Sequence, residues 1–471
     1  MTSLRTLTVA LAATLAGACT TLIPDYLRPA APVPATFPAA FPDAGATAPA
    51  ATPADAIAWR DYFADSRLRE LIDLALQNNR DLRVAALNIE KARAQYGIQR
   101  ADLFPSIGAT AGETAQRMPG DLSRSGEAAT TRQFSATVGF SAYELDFFGR
   151  IRSLNEQALE QYLGTEEARR SAQISLIAEV ANDWLRLAAD RDRLALARST
   201  LGTRQKSLDL TQRSFDVGAT SALDLRQAQT LFESARADVA RYTAVVAQDQ
   251  NALALVIGAP VPPHLMPDAL ADTVAAVAEL PAGVPSDVLT RRPDVLQAER
   301  QLRAANANIG AARAAFFPRI TLTASAGTAS STLDGLFQSG SGTWSFIPQI
   351  TLPIFEAGRL NASLESAKVQ REISVAQYEK AIQSAFRDVS DALADRATLT
   401  EQLDARRKLV DATEASFKLS EARYKAGIDS YLGLLDAQRN LYSAQLDLIS
   451  VRQSDAANRV TLYRALGGGW Q

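Results

Sequence analysis

The chain has 471 residues, 47% hydrophobic and 21% charged, which is enough apolar material for a large core and too much for a disordered chain. Its formal net charge of -3 gives no general attraction to phosphate backbones, and no basic cluster carries interleaved aromatics, so nucleic acid is excluded as a partner. The single cysteine excludes an internal disulfide and a cysteine-based metal cluster within one chain.

The position of that cysteine is informative. Arg5 precedes an apolar run from Leu7 to Leu15, and the small residues Ala16, Gly17 and Ala18 lead to Cys19. This is the pattern of a bacterial export signal ending at a lipobox, so residues 1–18 read as a signal peptide and Cys19 as the lipidation site. The alternative is an ordinary cleaved signal with an incidental thiol. Thr20 stands where Asp would retain such a lipoprotein at the inner membrane, which favours the outer membrane. Residues 19–58, with prolines at 24, 29, 32, 34, 38, 42, 49 and 53, read as an extended lipidated segment. A packed core is expected from Trp59.

A helix is expected from about Ser66 to Leu103, then Phe104-Pro105 and an alternating stretch from Ile107 to Gly112. Phe134 to Phe147 alternates again, with Phe134, Ala136, Val138, Phe140 and Ala142 on one face and Ser135, Thr137, Gly139 and Ser141 on the other. A period of two marks strands. The Pro-free run from Arg150 to Val217 follows, with apolar residues every seven positions at Val180, Leu187, Leu194, Leu201, Leu208 and Phe215. Such spacing keeps one seam against a partner helix, and at roughly 1.5 Å per residue the run makes a rod on the order of 100 Å. After the turn at Gly218, Ser221 can cap a helix that carries Leu225, Phe232, Val239, Val246 and Leu253 and stops at Gly258.

The pattern then recurs. Arg292-Pro293-Asp294 repeats Asn79-Arg80-Asp81, Phe317-Pro318 repeats Phe104-Pro105, and Ala357-Gly358-Arg359 repeats Phe148-Gly149-Arg150. Strands are expected at Ile320 to Ala326 and Trp344 to Ile354. A second long helix runs from Arg359 to Ala426, with its heptad broken at Arg396. Ser430, Leu432, Leu434, Ala437 and Gln438 repeat Ser221, Leu223, Leu225, Ala228 and Gln229. The chain is therefore a tandem duplication: repeat 1 at 59–258, a Gly/Pro linker at 259–284, and repeat 2 at 285–471. In each repeat the two shorter helices together match one long helix and can stack end to end beside it. The linker and the C-terminal segment are then candidates for a belt around the middle of the rod.

Four strands with one apolar and one polar face cannot close a membrane barrel, since known ones begin at eight. Two pooled chains would give eight strands around a bore filled by side chains. Three would give twelve and an open bore. A water-soluble sheet over helices is the competing arrangement. On the last shorter helix, Leu432, Asp436 and Arg439 share one stripe, roughly opposite the seam Leu434, Leu441 and Leu448, and so are free to line a lumen. Equally, Asp436 and Arg439 can form a solvated pair within the chain. His264, the only histidine, sits in the Pro-rich linker, and no HExxH, GxSxG, Walker or GxGxxG motif occurs. Neither an enzyme nor a cofactor is expected.

The order of these motifs resembles the TolC-like outer membrane efflux protein family, in its OprM-like lipoprotein branch. The resemblance rests on Ile23-Pro24-Asp25-Tyr26-x-Arg28-Pro29, Asn79-Arg80-Asp81-Leu82-Arg83, Glu144-Leu145-Asp146-x-Phe148-Gly149-Arg150, Arg291-Arg292-Pro293-Asp294, Leu435-Asp436-Ala437-Gln438-Arg439 and Ala465 to Trp470. It implies a mainly helical fold with a membrane β-barrel part: a homotrimer whose tandem-repeat protomers give four strands each to a twelve-stranded barrel and long helices to a periplasmic α-barrel. It further implies the exit duct of a tripartite efflux pump, working with a periplasmic membrane-fusion adaptor and an inner-membrane RND transporter. Leu432, Asp436 and Arg439 would form the periplasmic gate. The turns with Gly218 and Ser221, and with Gly427 and Ser430, would dock the adaptor. Protein secretion or metal export within the family, and a coiled-coil envelope scaffold outside it, remain as alternatives that conductance would separate.

Overall fold

The computed structural model describes residues 21–37, 56–123, 126–270 and 286–470. Cys19 and the signal segment lie outside the described residues, as do 38–55 of the expected extended segment and all but the first part of the 259–284 linker. In chain order the helices and strands are α1 (Trp59–Tyr62), α2 (Ser66–Asn78), α3 (Arg80–Ala101), β1 (Gly108–Met118), β2 (Ala129–Leu145), α4 (Arg150–Asp216) and α5 (Ala222–Ile257), then α6 (Pro293–Ala314), β3 (Arg319–Ser330), β4 (Gly342–Thr351), α7 (Arg359–Lys425) and α8 (Tyr431–Ala465). The duplication is plain in the lengths: α4 and α7 are 67 residues each, and α5 and α8 are 36 and 35. No helix among the described residues is long and apolar enough to cross a membrane.

The chain forms two compact units. The first comprises the described parts of Met1–Ala30, Asn88–Glu166 and Gln297–Tyr378. It holds a four-stranded antiparallel sheet in the order β1-β2-β3-β4. β1 and β2 run beyond the expected Gly112 and Phe134, because residues 113–118 pair with 129–134. That extension is polar on both faces (Glu113, Thr114, Gln116, Gln133), so period-two hydrophobicity does not reveal it. β4 stops at Thr351, short of the expected Ile354, since Pro353 has no N–H to give a ladder. In the same unit the N-terminal segment lies against α6. Asn306 Nδ2 donates to the Pro24 carbonyl at 2.8 Å, and the buried Glu299 receives both Arg28 and Arg303, with the Arg303 guanidinium over the Tyr26 ring.

The second unit comprises the described parts of Ala31–Leu87, Glu167–Leu296 and Glu379–Gln471. Buried in it are Trp59, Tyr62, Phe63, Leu68, Leu71 and Ile72 from the α1–α2 region, Ile177, Val180, Trp184 and Leu187 of α4, and Val460 and Tyr463 of α8. Tyr62 stacks on Tyr463 at 3.9 Å and donates to the Arg459 carbonyl at 2.7 Å, while the Trp184 indole donates to Leu265. The heptad of α4 is buried at Val180, Leu187 and Leu194 but opens toward the turn, where Phe215 is exposed. The break at Arg396 is filled by an ion pair with Asp455 at 2.7 Å.

The single helix expected over Ser66 to Leu103 is two helices, because Asn79 adopts an extended conformation. Its Oδ1 accepts from Leu82 N at 2.8 Å, which caps α3, and its Nδ2 donates to the Val256 carbonyl in the last turn of α5. Asparagine is suited to this double duty, with one acceptor for an orphan N–H and one donor for an orphan C=O. In the second repeat Arg292 Nη1 takes the Ala465 carbonyl at 2.6 Å just before α6 begins. Each repeat thus joins the end of one shorter helix to the start of the other.

Asp190 of α4 and Asp249 of α5 are both buried. Burial, and then contact with the Asp190 carboxyl, push the Asp249 carboxyl up to about 6, opposed by Arg186, whose Nε donates at 2.9 Å. The folded value lies above the unfolded one, so this stabilisation is complete at low pH and is lost as pH rises through about 6. Apparent Tm should therefore fall from about pH 5 to pH 7.5 and Asp249→Asn should flatten the profile, the effect being on the order of 2 kcal/mol. Equal slopes for the two proteins would refute this.

Candidate conducting path, gate and docking turns

Strand register fixes which side chains share a face. In one set of rows Phe134, Ala136, Val138 and Phe140 of β2 meet Ser330, Thr328, Ala326 and Ala324 of β3, and Trp344, Phe346, Pro348 and Ile350 of β4 meet Ala326, Ala324, Leu322 and Ile320. The other face holds Gly108, Thr110, Gly112, Ser135, Thr137, Gly139, Thr321, Thr323, Ser325, Gly327, Ser345 and Gln349, with Ile347 as a large apolar exception opposite Thr323. One surface suits hydrocarbon and the opposite one suits water.

The alternation changes phase once. A bulge between Phe140 and Tyr143 puts Ala142 at φ 54°, its N–H donating to Thr323 Oγ1 at 3.0 Å. Strict alternation placed Ala142 with the apolar residues; the extra residue instead gives Tyr143 and Leu145 to that face, opposite Leu322 and Ile320. Glu144 consequently turns to the polar face. There it takes both guanidinium arms of Arg150 at 2.7 and 2.8 Å and Arg319 at 2.6 Å. Phe148 stacks on Phe317 at 4.7 Å beside this joint.

The turns behave as their residues dictate. At the α4–α5 turn Gly218 has φ 75°, and Ala219 N donates back to the Ser214 carbonyl at 2.7 Å. Ser221 and Asp224 form a reciprocal capping box, and hydrogen bonds from Ser221 and Thr220 hold the Asp224 carboxyl below its usual range. At the α7–α8 turn Gly427 has φ 69° and Ile428 N returns to the Arg423 carbonyl. Ser430 is the N-cap but makes no side-chain cap bond, and Arg423 with Asp429 closes this turn by a two-armed ion pair at 2.6 and 2.8 Å. Val217, Leu223 and Ile428 are exposed. A side chain at Gly218 or Gly427 would sit in a left-handed conformation that costs roughly 1–2 kcal/mol. If the turns dock the adaptor, Gly218→Val and Gly427→Val should each cut adaptor crosslinking and efflux severalfold with the trimer intact, and unchanged crosslinking would reject the assignment.

Behind these turns α4, α5, α7 and α8 converge on Ala228, Tyr431, Leu434 and Leu435, with Leu208, Leu231, Phe417 and Tyr424 around them. The stripe on α8 faces away. Leu432 is 51% exposed, and Asp436 and Arg439 pair with each other within the chain, both half open to solvent. The structure thus places all three on one accessible side, as their spacing requires.

Sequence reading missed what holds this stripe. Tyr431 OH lies 3.1 Å from Ser207 Oγ, Tyr442 OH donates to Asp238 at 3.2 Å, and the buried Arg204 donates to the Leu231 carbonyl at 2.9 Å with its guanidinium 5.3 Å from the Tyr442 ring. Burial lowers the Arg204 pKa. A buried arginine on a heptad helix carries no local signal, since its partners come from helices distant in sequence.

The family described as outer membrane efflux protein matches residues 71–259 and 284–468. The toluene efflux pump outer membrane protein TtgC and the antibiotic efflux pump outer membrane protein ArpC of Pseudomonas putida are each 53% identical over 464 residues, 98% of this chain and 95% of theirs. The open-state outer membrane channel MtrE of Neisseria gonorrhoeae superposes with a TM-score of 0.86 at 41% identity, over 96% of this chain and 99% of that one.

Proposed function

Since the chain belongs to the outer membrane efflux protein family, we propose that it is the outer-membrane exit duct of a tripartite multidrug efflux pump, conducting small molecules passively through a gated homotrimer. The observation that carries this is the sheet. β1 and β4 each keep one edge unpaired within the chain, yet the sheet has an apolar and a polar face. Unpaired N–H and C=O groups are not tolerated in hydrocarbon, so copies must pair edge to edge until the barrel closes. Three copies give twelve strands and place the small Gly, Ser and Thr side chains around an open bore. Lipid on Cys19 would tether each copy at the outer membrane.

A duct needs a bore and a gate and no catalytic chemistry, so the driving energy belongs to an inner-membrane RND transporter coupled through a periplasmic membrane-fusion adaptor. Antibiotics and aromatic solvents, the cargo named for the two Pseudomonas relatives, are the proposed substrates. Purified trimer should conduct in planar bilayers, and a deletion strain should become severalfold more susceptible to a panel of antibiotics and toluene, restored by the gene in trans. Absence of current would return the protein to an envelope scaffold. Current without changed susceptibility would redirect it to protein or metal export.

A further inference from the structure

The apolar face has a defined upper limit. From the Ile320 row to the Phe134–Ser330 row it follows ten steps of β3, which at roughly 3.3 Å per residue and a tilt near 40° gives a height of about 25 Å, the apolar band of a membrane barrel. β1 and β2 continue past it. On the same lipid-directed face Glu113 stands in that last row, opposite Phe134, and the next two rows hold Arg132 opposite Ala115 and Arg117 opposite Thr130. Arg132 and Arg117 therefore stand as diagonal cross-strand neighbours, within reach of one ligand for side chains this long, in the first two rows beyond the apolar band, at the end of the sheet distant from the helices. Both are exposed. Arg132 has one loose partner, Glu113 at 3.8 Å, and Arg117 has no ion pair or side-chain hydrogen bond among the described residues. The carboxylates of Asp121 and Glu127 belong to the turn beyond the ladder.

Two guanidiniums against one carboxylate, on a wall whose lower part faces acyl chains, meet the headgroup level of the outer leaflet. We propose that Arg117 and Arg132 form a binding site for the phosphate groups of outer-leaflet lipid, with Glu113 moderating its strength. The guanidinium fork suits phosphate, because it offers two parallel donors where lysine offers a point charge. Lipid seated there would hold the barrel at a fixed depth and seal the seam around the β1–β2 hairpin. The site serves membrane seating, so it leaves conduction to the bore and gate. The inference rests on the sheet lying in the outer membrane, as proposed above.

The test is native mass spectrometry of the purified full-length trimer, counting bisphosphorylated lipid A retained through a detergent-exchange series, with dephosphorylated lipid A as the second probe. Wild type should retain the phosphorylated form about tenfold better than the dephosphorylated one, since each arginine near an anionic surface contributes on the order of a tenfold gain or less. Arg117→Ala with Arg132→Ala should remove that preference while single-channel conductance stays at the wild-type value. Glu113→Gln, which frees Arg132, should raise retention, so the proposal stays testable even if the double variant assembles poorly. Equal retention of both lipids by wild type, or a fall with Glu113→Gln, overturns the inference while wild-type current upholds the duct. Wild type without current would instead remove the premise.

Discussion

Gly139→Ala is expected to abolish the trimer. Gly139 on β2 faces Ser325 on β3, and Gly327 on β3 faces Thr137 on β2. A methyl at Gly139 would lie 2.1 Å from the Ala324 carbonyl oxygen and 2.6 Å from Ser325 Cα, and one at Gly327 would lie 2.1 Å from the Ala136 carbonyl oxygen. The obstacles are backbone atoms of the neighbouring strand, which no rotamer change can move aside. The two glycines therefore let β2 and β3 approach reciprocally in the middle of the sheet, and a single methyl at either forces the ladder apart. Loss of this seam exposes orphan backbone groups at membrane depth, each costing several kcal/mol. Unheated gel samples should show no trimer band for Gly139→Ala or for Gly327→Ala, and bilayers should carry no current. Thr137→Ser, on the same polar face, should leave both readouts at wild type. A Gly139→Ala trimer that conducts normally would show that the strands do not pack as described.

The second large effect is expected at the stripe on α8 that we propose as the gate. Leu432→Ala with Asp436→Ala should raise single-channel conductance severalfold. Both residues are accessible on α8, and the pair between Asp436 and Arg439 is of the exposed helical kind that contributes only about 0.2–0.5 kcal/mol. Truncating them should therefore cost little folding stability. Underneath, Tyr431, Leu434 and Leu435 stay buried, so the helix keeps its place. A change in current would then report the width and charge of the periplasmic mouth rather than damage to the fold. Unchanged conductance would reduce Asp436 and Arg439 to a solvated pair.

Much of this architecture was legible because long-range order was written as local periodicity. The heptads at Val180 to Leu194 announced α4, the repeated Gly-Arg steps at 149–150 and 358–359 marked both long-helix starts, and the alternation at Phe134 to Phe140 announced β2 with its correct faces. Less visible were features that depend on partners far along the chain. The break at Asn79 needs the Val256 carbonyl 177 residues away, and no propensity encodes that meeting. The polar extension of β1 is held by its ladder with β2 and by side chains of that partner strand, the Arg132–Glu113 ion pair and the Thr131 hydroxyl on the Gln116 carbonyl, none of which shows as hydrophobic alternation. At the candidate site, spacing identified the stripe of Leu432, Asp436 and Arg439 and the two glycine turns, whereas the Arg204, Tyr442 and Asp238 support exists only once three helices are brought together.

The bulge at Ala142 makes β2 intolerant of certain changes in length. Below it, residues keep their orientation because one extra residue resets the count: removing Ser141 alone would leave a regular ladder with Glu144 still on the polar face, whereas removing both Ser141 and Ala142 would turn Glu144 outward to acyl chains and strip Arg150 and Arg319 of their shared carboxylate. A gap of one residue at the bulge, but not of two, is therefore expected when related chains are aligned, and a barrel redesigned from this scaffold without the bulge must drop a single residue to keep the joint below it oriented.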